Sequence, residues 1–279
     1  YDDYGFLRRV LPPESVRRMP VSGSVGNIPD VLGYYYEYDG YGRKILVRIP
    51  GKEAEYYVYD SKDRLVLMQD GNRRRSGQWS YTLYDERNRV VESGEVVLKG
   101  KTREALQGEA GSVSNYVPSG NRVAQLFKVY DSYVPVAGHT PLPFVPAPGY
   151  SAGYRTLASG LETMILRRIS GTSGWHVSTF YYDDKCRPVQ QSERYGDGSF
   201  VRRDMRYDFS GRVTSVREWH RSLSGKSAVL EKENYYTPRG FLLETLVSFN
   251  GGQKHSMRFS YDEYGRHTGS IYGNTRISY

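Results

Sequence analysis

The chain has 279 residues, of which 38% are hydrophobic, and its 39 Lys and Arg against 31 Asp and Glu give a net charge of +8. The low hydrophobic share argues against one large globular core, and no apolar run approaches the roughly 20 residues of a membrane-spanning helix. The single cysteine, Cys186, excludes an internal disulfide framework and a thiolate metal site. Tyrosine dominates the aromatic residues, with 27 Tyr against 9 Phe and 3 Trp, which suits half-buried sheet faces.

A six-residue motif, Tyr-Asp-x-x-Gly-Arg, recurs along the chain. It is complete at residues 38–43, 207–212 and 261–266. A local motif that returns every few tens of residues indicates a repeat array. Degenerate copies that keep part of the pattern begin at Tyr1, Tyr59, Tyr84, Tyr182 and Tyr236.

The motif predicts the turn of a β-hairpin. Aromatic and β-branched residues lead into it, as in residues 55–59. The Asp carboxylate can accept backbone N–H groups two residues on, and the Gly supplies the positive φ of a type I turn followed by a bulge. Turn chemistry therefore explains the motif without a catalytic role. The residues assigned to this structural motif are Tyr38, Asp39, Gly42, Arg43, Tyr59, Asp60, Arg64, Tyr84, Asp85, Arg89, Tyr182, Asp183, Arg187, Tyr207, Asp208, Gly211, Arg212, Tyr261, Asp262, Gly265 and Arg266.

Residues 1–95 are predicted to be a first block of repeats, with motif tyrosines 21 (38 to 59) and 25 (59 to 84) residues apart. One hairpin is marginally stable in water, so the hairpins are expected to pair edge to edge and to bring successive motif tyrosines into ring contact. The basic run 73–75 lies between two glycines and is predicted to be a solvated turn. Because the remaining basic residues are dispersed, we do not expect nucleic-acid binding.

Residues 96–179 interrupt the repeat rhythm and are predicted to be an irregular insert. Residues 102–107 are expected to form a short helix with Thr102 as its N-cap. Further on, the prolines at 141, 143, 146 and 148 indicate an extended loop with few ladder hydrogen bonds. Such a loop is either a place for a partner to bind or a disordered surface excursion, and the sequence leaves both open.

Residues 180–279 are predicted to be the second block, with motif spacings of 25 (182 to 207), 29 (207 to 236) and 25 (236 to 261). In this block Val201, Met205 and Tyr207 alternate with Arg202 and Asp204 in the manner of a strand. The predicted fold class is therefore all-β. Stacked antiparallel hairpins are expected to form one curved, spiral-like sheet in a single continuous repeat domain, with the short helix and the Pro-rich loop inserted midway.

The sequence contains no recognisable catalytic or metal-binding pattern. The five histidines are scattered without ligand spacing, and there is no P-loop and no Gly-x-Ser-x-Gly elbow. Cys186 could act as a nucleophile, but it occupies the position that Gly takes in the complete motif, and a turn substitution explains it better. We therefore predict that the chain is not an enzyme and binds no cofactor.

A carbohydrate- or cell-surface-binding module is the alternative to a purely structural role. Trp79, Trp175 and Trp219 are the candidate glycan contacts, because an exposed aromatic ring can support the face of a sugar. The competing interpretation is that each Trp packs against the sheet and donates its indole N–H to a partner. Exposed coplanar aromatic rings would favour glycan binding, and half-buried rings would favour the scaffold.

The repeats resemble the Rhs/YD-repeat family. The resemblance is carried by the complete motifs, by residues 57–72, and by Gly77-Gln78-Trp79 leading to Tyr84-Asp85, and it is weakest at about 110–160. These stretches are similar to bacterial Rhs-core proteins. The resemblance implies an exported or surface protein whose repeats coil into a spiral sheet, which in longer members encloses a C-terminal toxin or other variable domain.

This chain departs from that family pattern in two respects. It has too few repeats to close a large shell, and it contains no Asp-Pro-x-Gly self-cleavage segment and no recognisable payload. The resemblance therefore implies a non-catalytic scaffold or shell segment of a larger secreted or cell-surface protein. The expected partners are the remaining repeats or the variable C-terminal domain of that protein, with a cell-surface glycan as the alternative.

Overall fold

The computed structural model describes residues 1–17, 32–273 and 275–278. The chain separates into two compact units, Tyr1–Leu126 and Phe127–Tyr279. The predicted boundaries at residues 95 and 179 rest on the spacing of the motif and do not describe compact units, so they stay a prediction. One strand, β8 (Arg122–Asp131), contains the boundary between the units.

The first unit is an antiparallel meander in which successive strands pair from β1 to β7. Its strands end where turn residues begin, and every second connection is a motif turn. Its elements are β1 (Arg9–Val10), α1 (Pro13–Arg17), β2 (Tyr34–Tyr38), β3 (Lys44–Arg48), β4 (Glu55–Tyr59), β5 (Leu65–Gln69), α2 (Gly71–Ser76), β6 (Gln78–Tyr84), β7 (Val90–Val97) and α3 (Arg103–Ala110).

Helix α3 covers one face of this sheet and builds the core of the first unit. It begins after Thr102, whose side-chain oxygen accepts the Ala105 N–H at 3.2 Å, so the predicted helix and its N-cap are confirmed. Leu106 is fully buried and belongs to one cluster with Val58 and Trp79. Burying a Leu side chain contributes about 1.5–3 kcal/mol, so the helix stabilises the strands that it covers.

The basic run 73–75 is not a solvated turn, and that prediction is wrong. It forms helix α2, which is capped by the Asp70 carboxylate at its start and by Gly77, with φ 67°, at its end. Its side chains are paired: Arg73 contacts the Asp70 carboxylate, and Arg75 lies 2.6 Å from Glu53 Oε1.

The second unit is also an antiparallel meander, and its strands pair in chain order from β9 to β18. The all-β class built from stacked antiparallel hairpins is therefore confirmed, and so are the short helix and the Pro-rich segment between the blocks. The strands are β9 (Ala158–Arg168), β10 (Trp175–Tyr182), β11 (Pro188–Arg194), β12 (Phe200–Tyr207), β13 (Val213–Arg221), β14 (Ser227–Tyr236), β15 (Leu242–Phe249), β16 (His255–Tyr261), β17 (His267–Tyr272) and β18 (Thr275–Ser278).

The Pro-rich loop packs on the sheet of the second unit. The fully buried side chain of Gln190 accepts the Val145 N–H at 2.9 Å and donates to the Val145 carbonyl at 2.7 Å, while Thr179 Oγ1 accepts the Leu142 N–H. Side chains of the sheet thus replace the ladder partners that the loop lacks. The predicted division of β12 into an apolar and a polar side is not seen in its burial, because Asp204 of the polar side is only 1% exposed and is as buried as Val201 of the apolar side.

Candidate functional site

The motif turn is built around its aspartate, and Asp39 shows the arrangement. Asp39 Oδ1 accepts the backbone N–H groups of Tyr41 and Arg43, both at 3.0 Å, and Oδ2 accepts the Arg43 Nε–H at 2.7 Å. All of the carboxylate's strong acceptor directions therefore serve the turn. The same two-oxygen arrangement recurs at Asp60, Asp85, Asp183, Asp208 and Asp262.

The residue four positions after the motif tyrosine has positive φ in every copy. Gly211 has φ 86°, and in the degenerate copies Asp63, Asn88 and Cys186 adopt φ of 60–62°. Each hairpin also shifts its strand register at the motif tyrosine, as between Glu37 and Tyr38. The structure confirms the predicted turn followed by a bulge, and it shows that Cys186 takes the position of the glycine.

The motif arginine connects its own turn to the next repeat. The guanidinium carbon of Arg187 lies 4.7 Å from the ring centre of Tyr207, and its Nη1 donates to the Asp208 carbonyl at 3.1 Å. A cation over an aromatic face is attracted by about 0.5–1 kcal/mol at an exposed site and by more when it is desolvated. The same contact joins Arg43 to Tyr59, Arg64 to Tyr84 and Arg212 to Tyr236, at 4.9–5.0 Å.

Two junctions between repeats use a phenylalanine at the position of the arginine. Phe6 stacks on Tyr38 with ring centres 5.0 Å apart, and Phe241 stacks on Tyr261 at 5.1 Å. The residue five positions after one motif tyrosine thus covers the ring of the next motif tyrosine. The expected contact between successive tyrosine rings is replaced by this arrangement at the described junctions, because an Arg or Phe side chain occupies the intervening position.

Six motif tyrosines also donate their hydroxyl to the backbone of an earlier segment of the chain. Tyr207 Oη lies 2.7 Å from the Pro188 carbonyl oxygen, and Tyr59 Oη lies 2.7 Å from that of Lys44. These carbonyls belong to the residue directly after the motif arginine, or after the residue in its position. Burial raises the pKa of Tyr59 and of Tyr207, and it raises the pKa of Tyr182 to about 12, so these phenols remain donors at neutral pH. Equivalent bonds run from Tyr38, Tyr84 and Tyr236, whereas Tyr182 donates to the Glu162 carbonyl, which does not follow a motif turn.

The insert completes one of these turns in the first unit. The side-chain amide of Gln107 accepts the Tyr59 N–H at 3.0 Å and donates to the Tyr59 carbonyl at 2.8 Å. Asp60 is fully buried and paired with Arg64, whose Nη2 also donates to the Ser114 carbonyl and to Asn115 Oδ1. A buried ion pair requires that its remaining donors be satisfied, and here the insert satisfies them.

The carboxylates of Asp39, Asp85 and Asp183 have depressed pKa values, because each accepts hydrogen bonds from the arginine of its own turn. Burial raises the pKa of Asp183, but hydrogen bonds from the side chain and backbone of Arg187 outweigh it and hold that pKa below its usual range. The same balance lowers the pKa of Asp39 and of Asp85. Carboxylates that remain ionised and fully hydrogen-bonded cannot act as general acids near neutral pH.

The three tryptophans differ in what they can contact. Trp79 is 1% exposed and lies in the core of the first unit, so its assignment as a glycan contact is wrong: helix α3 covers the ring. Trp175 is half-buried beside Phe127, with ring centres 5.5 Å apart, and Trp219 is half-buried beside Phe200 at 5.7 Å. For Trp175 and Trp219, glycan contact stays a prediction.

The other candidate chemistry is dispersed. The His176 ring stacks on Tyr195 at 4.5 Å and its Nε2 lies 3.6 Å from Glu193 Oε2, whereas the exposed Cys186 lies beside Arg155. Within the described part of the chain, no three His, Cys, Asp or Glu residues are grouped so that they could hold a metal ion.

Comparison with known proteins shows that these repeats are similar to those of teneurins. Teneurin-4 of Mus musculus is 27% identical over 242 residues, which cover 86% of this chain and 7% of the teneurin, and teneurin-1 of Homo sapiens is 24% identical over 263 residues, which cover 86% and 9%. Teneurins contain YD repeats. The resemblance to the Rhs/YD-repeat family is confirmed.

The remaining comparisons set limits to that statement. No family model matches the chain. The crystal structure of TcdB2-TccC3-Cdc42 aligns with 98% of this chain and 14% of its own chain, at 12% identity and a TM-score of 0.39. The chain spans less than a tenth of the length of the teneurins that it matches. Since these relatives come from mouse and human, a bacterial origin for this YD-repeat chain stays a prediction.

Sequence reasoning missed the contacts that join one repeat to the next. The positions themselves were identified, but the pairing of Arg187 with Tyr207, 20 residues later (187 to 207), depends on the register of two hairpins. It also missed Gln107 and Asn115, which serve a turn about 50 residues earlier. The available signal was the short helix in the insert, which interrupts the repeats and could have been expected to cover the sheet.

Proposed function

We propose that this chain is a non-catalytic structural segment of a larger exported YD-repeat protein, in which it forms part of a shell wall. One observation supports the proposal most strongly: the polar groups of the motif are consumed by contacts within a turn and between neighbouring repeats. In Asp39, Arg43 and Tyr59, for example, the carboxylate, the guanidinium and the phenol all have structural partners.

The repetition of the same contact from one hairpin to the next also supports a wall segment. Stacked repeats share their stabilising contacts with neighbours, so a wall can be extended by adding repeats. We propose that the partners are the remaining repeats, or the variable C-terminal domain, of the parent protein. No helix among the described residues is long and apolar enough to cross a membrane.

The proposal is tested in the organism of origin with an antibody raised against the folded chain. We expect the antibody to detect a polypeptide much larger than 31.9 kDa, in the culture medium or on the cell surface. A band at 31.9 kDa confined to the cytosol would contradict both the parent protein and its export. Digestion of intact cells with an external protease supplies the control, because a surface band disappears and a cytosolic marker persists.

A further inference from the structure

One junction between repeats in the first unit is occupied by a short peptide segment of the same chain. Residues 113–117 lie against the turns that follow Tyr59 and Tyr84: the Val113 carbonyl accepts the Ser61 N–H at 3.2 Å, and Arg64 Nη2 donates to the Ser114 carbonyl and to Asn115 Oδ1. The space that remains there, lined by Tyr84 and residues 115–117, measures about 140 Å³.

Among the residues that the structure describes, none fills the equivalent junction between the first two turns. Phe6 corresponds to Arg64, since each stands five residues after a motif tyrosine, and Tyr38 corresponds to Tyr84, since each is the next motif tyrosine. The space here is about 490 Å³, lined by Tyr4, Phe6, Arg8, Tyr38 and Tyr41 together with Asp2 and residues 39, 40 and 42. It is within the range of small-ligand sites.

Arg8 reproduces at this junction the pairing that Arg64 makes at the occupied one. Its Nε lies 2.8 Å from Asp2 Oδ2, as that of Arg64 lies 2.8 Å from Asp60 Oδ2. Nη2 of Arg64 binds the peptide segment, whereas the Nη groups of Arg8 make no hydrogen bond to a residue that the structure describes, and the Arg8 side chain is 42% exposed. The donors that hold a peptide at one junction are thus available at the other.

The walls of the open junction carry exposed aromatic rings that can contact the side chain of a ligand. Tyr4 and Tyr41 are 86% and 83% exposed, and they stand at the same position of two neighbouring turns. Tyrosine gives a large, rigid contact area at a low cost in conformational entropy, which is why it is frequent in binding surfaces. The rim carries the carboxylates of Asp2 and Asp39, which disfavour an acidic ligand.

We propose that the groove between the first two motif turns binds a short peptide segment. The segment presents a backbone carbonyl or a side-chain amide oxygen to Arg8, and it places an aromatic or aliphatic side chain between Tyr4 and Tyr41. At the equivalent junction, the Ser114 carbonyl and the Asn115 amide oxygen supply these acceptors to Arg64. The inference goes beyond a structural role, because a scaffold needs no ligand at this groove.

The experiment uses the full chain and a labelled, end-capped peptide with the sequence of residues 112–118, Ser-Val-Ser-Asn-Tyr-Val-Pro. Fluorescence anisotropy is expected to show saturable binding, weakened at least tenfold by Tyr41→Ala and several-fold by Arg8→Lys. Tyr264→Ala is the matched control, because Tyr264 holds the same turn position and is 76% exposed, and it should leave binding unchanged. Melting temperatures of the three variants verify that each is folded.

Three results would overturn the assignment. The first is the absence of saturation up to about 5 mM peptide, which would mean that the binding free energy is weaker than roughly 3 kcal/mol. The second is binding that Tyr41→Ala leaves unchanged, since the peptide would then be exchanging with residues 113–117 at the occupied junction. The third is displacement of the peptide by neutral oligosaccharides such as cellohexaose or chitohexaose, which would make the groove a glycan site.

Discussion

Arg64 lies with its guanidinium carbon 4.9 Å from the ring centre of Tyr84 while its Nε and Nη2 remain bonded to Asp60, so one side chain closes its own turn and covers the next repeat. Arg43, Arg187 and Arg212 repeat this geometry at more exposed positions. The same contact should therefore stabilise the chain more where it is buried than where it is exposed, and substitutions at buried and exposed copies can measure the difference.

Replacing Arg64 with Met should be among the most damaging single changes in the first unit. Asp60 is 0% exposed and would be left as an unpaired buried carboxylate, which costs about 3–5 kcal/mol of unfolding free energy. Urea denaturation measures the loss. Arg266→Met is the matched control, because Arg266 makes the same pair with Asp262 but is 76% exposed, and it should cost less than about 0.5 kcal/mol. Equal losses would contradict the role of burial.

Tyr207→Phe should lower the free energy of unfolding by about 0.5–1.5 kcal/mol. The substitution keeps the ring under Arg187 and removes only the hydroxyl that donates to the Pro188 carbonyl. Tyr41→Phe provides the comparison, since this tyrosine is 83% exposed at a turn tip and should show no measurable change. If the two variants have the same stability, the hydroxyl contact does not hold the hairpins together.

Gly211→Val should destabilise the second unit through the backbone alone. Gly211 has φ 86°, and a Cβ placed on it meets no atom within 4 Å, so crowding does not contribute. Left-handed backbone costs an L-residue about 1–2 kcal/mol, and more when it is β-branched. Gly40→Val is the control, because Gly40 lies in an equivalent turn, has open space and does not have positive φ. An unchanged melting temperature for Gly211→Val would refute the turn geometry.

Cys186→Gly should have the opposite sign. Cys186 adopts φ 61° at the position of the motif glycine. Relief of about 1–2 kcal/mol of backbone strain is offset in part by the roughly 0.5–1 kcal/mol entropic cost of glycine, so a net gain of about 0.5–1 kcal/mol is expected. Cys186→Ala, which retains the strain, should bring no gain. Thermal unfolding under reducing conditions distinguishes these outcomes, and a stabilised alanine variant would show that strain is not the cause.

Stability should be nearly constant between pH 7 and pH 5 and should fall below about pH 4. The pKa of Asp183, like those of Asp39 and Asp85, is lower in the folded chain than its usual value. A depressed carboxyl pKa contributes stability above the unfolded pKa, and that stability is lost as the pH falls through the folded pKa. Denaturant titrations at several pH values measure the slope. Asp183→Asn should be less stable at pH 7 and should depend less steeply on pH below 4; a parallel curve would contradict the assignment.

The features that the sequence predicted are those that arise within a few residues. The bonds of Asp39 to Arg43 and the positive φ of Gly42 belong to one turn, so the composition of the turn determines them. The N-cap of α3 is local in the same sense. Helix α2 was missed because it is six residues long and is stabilised at its ends, by Asp70 and Gly77, more than by a periodic apolar face.

The features that could not be predicted depend on residues far apart in the chain. The burial of Trp79 follows from helix α3, which begins 24 residues later (79 to 103) and covers that face of the sheet. In the first turn, Phe6 stands at the position of the motif arginine, and Arg8, two residues further along, pairs with the Asp2 carboxylate instead. No local sequence rule predicts that exchange. Such contacts are determined by the three-dimensional register of strands, which a single sequence does not contain.

The contact of each motif arginine with the following tyrosine has a consequence for how such chains can lengthen. The segment from one motif tyrosine to the residue before the next, as in residues 182–206, contains one motif tyrosine and one motif arginine. A duplication of that segment supplies a new tyrosine to the upstream arginine and a new arginine to the downstream tyrosine, and leaves no ring uncovered. Duplication in units of this length therefore keeps every motif arginine beside a following motif tyrosine.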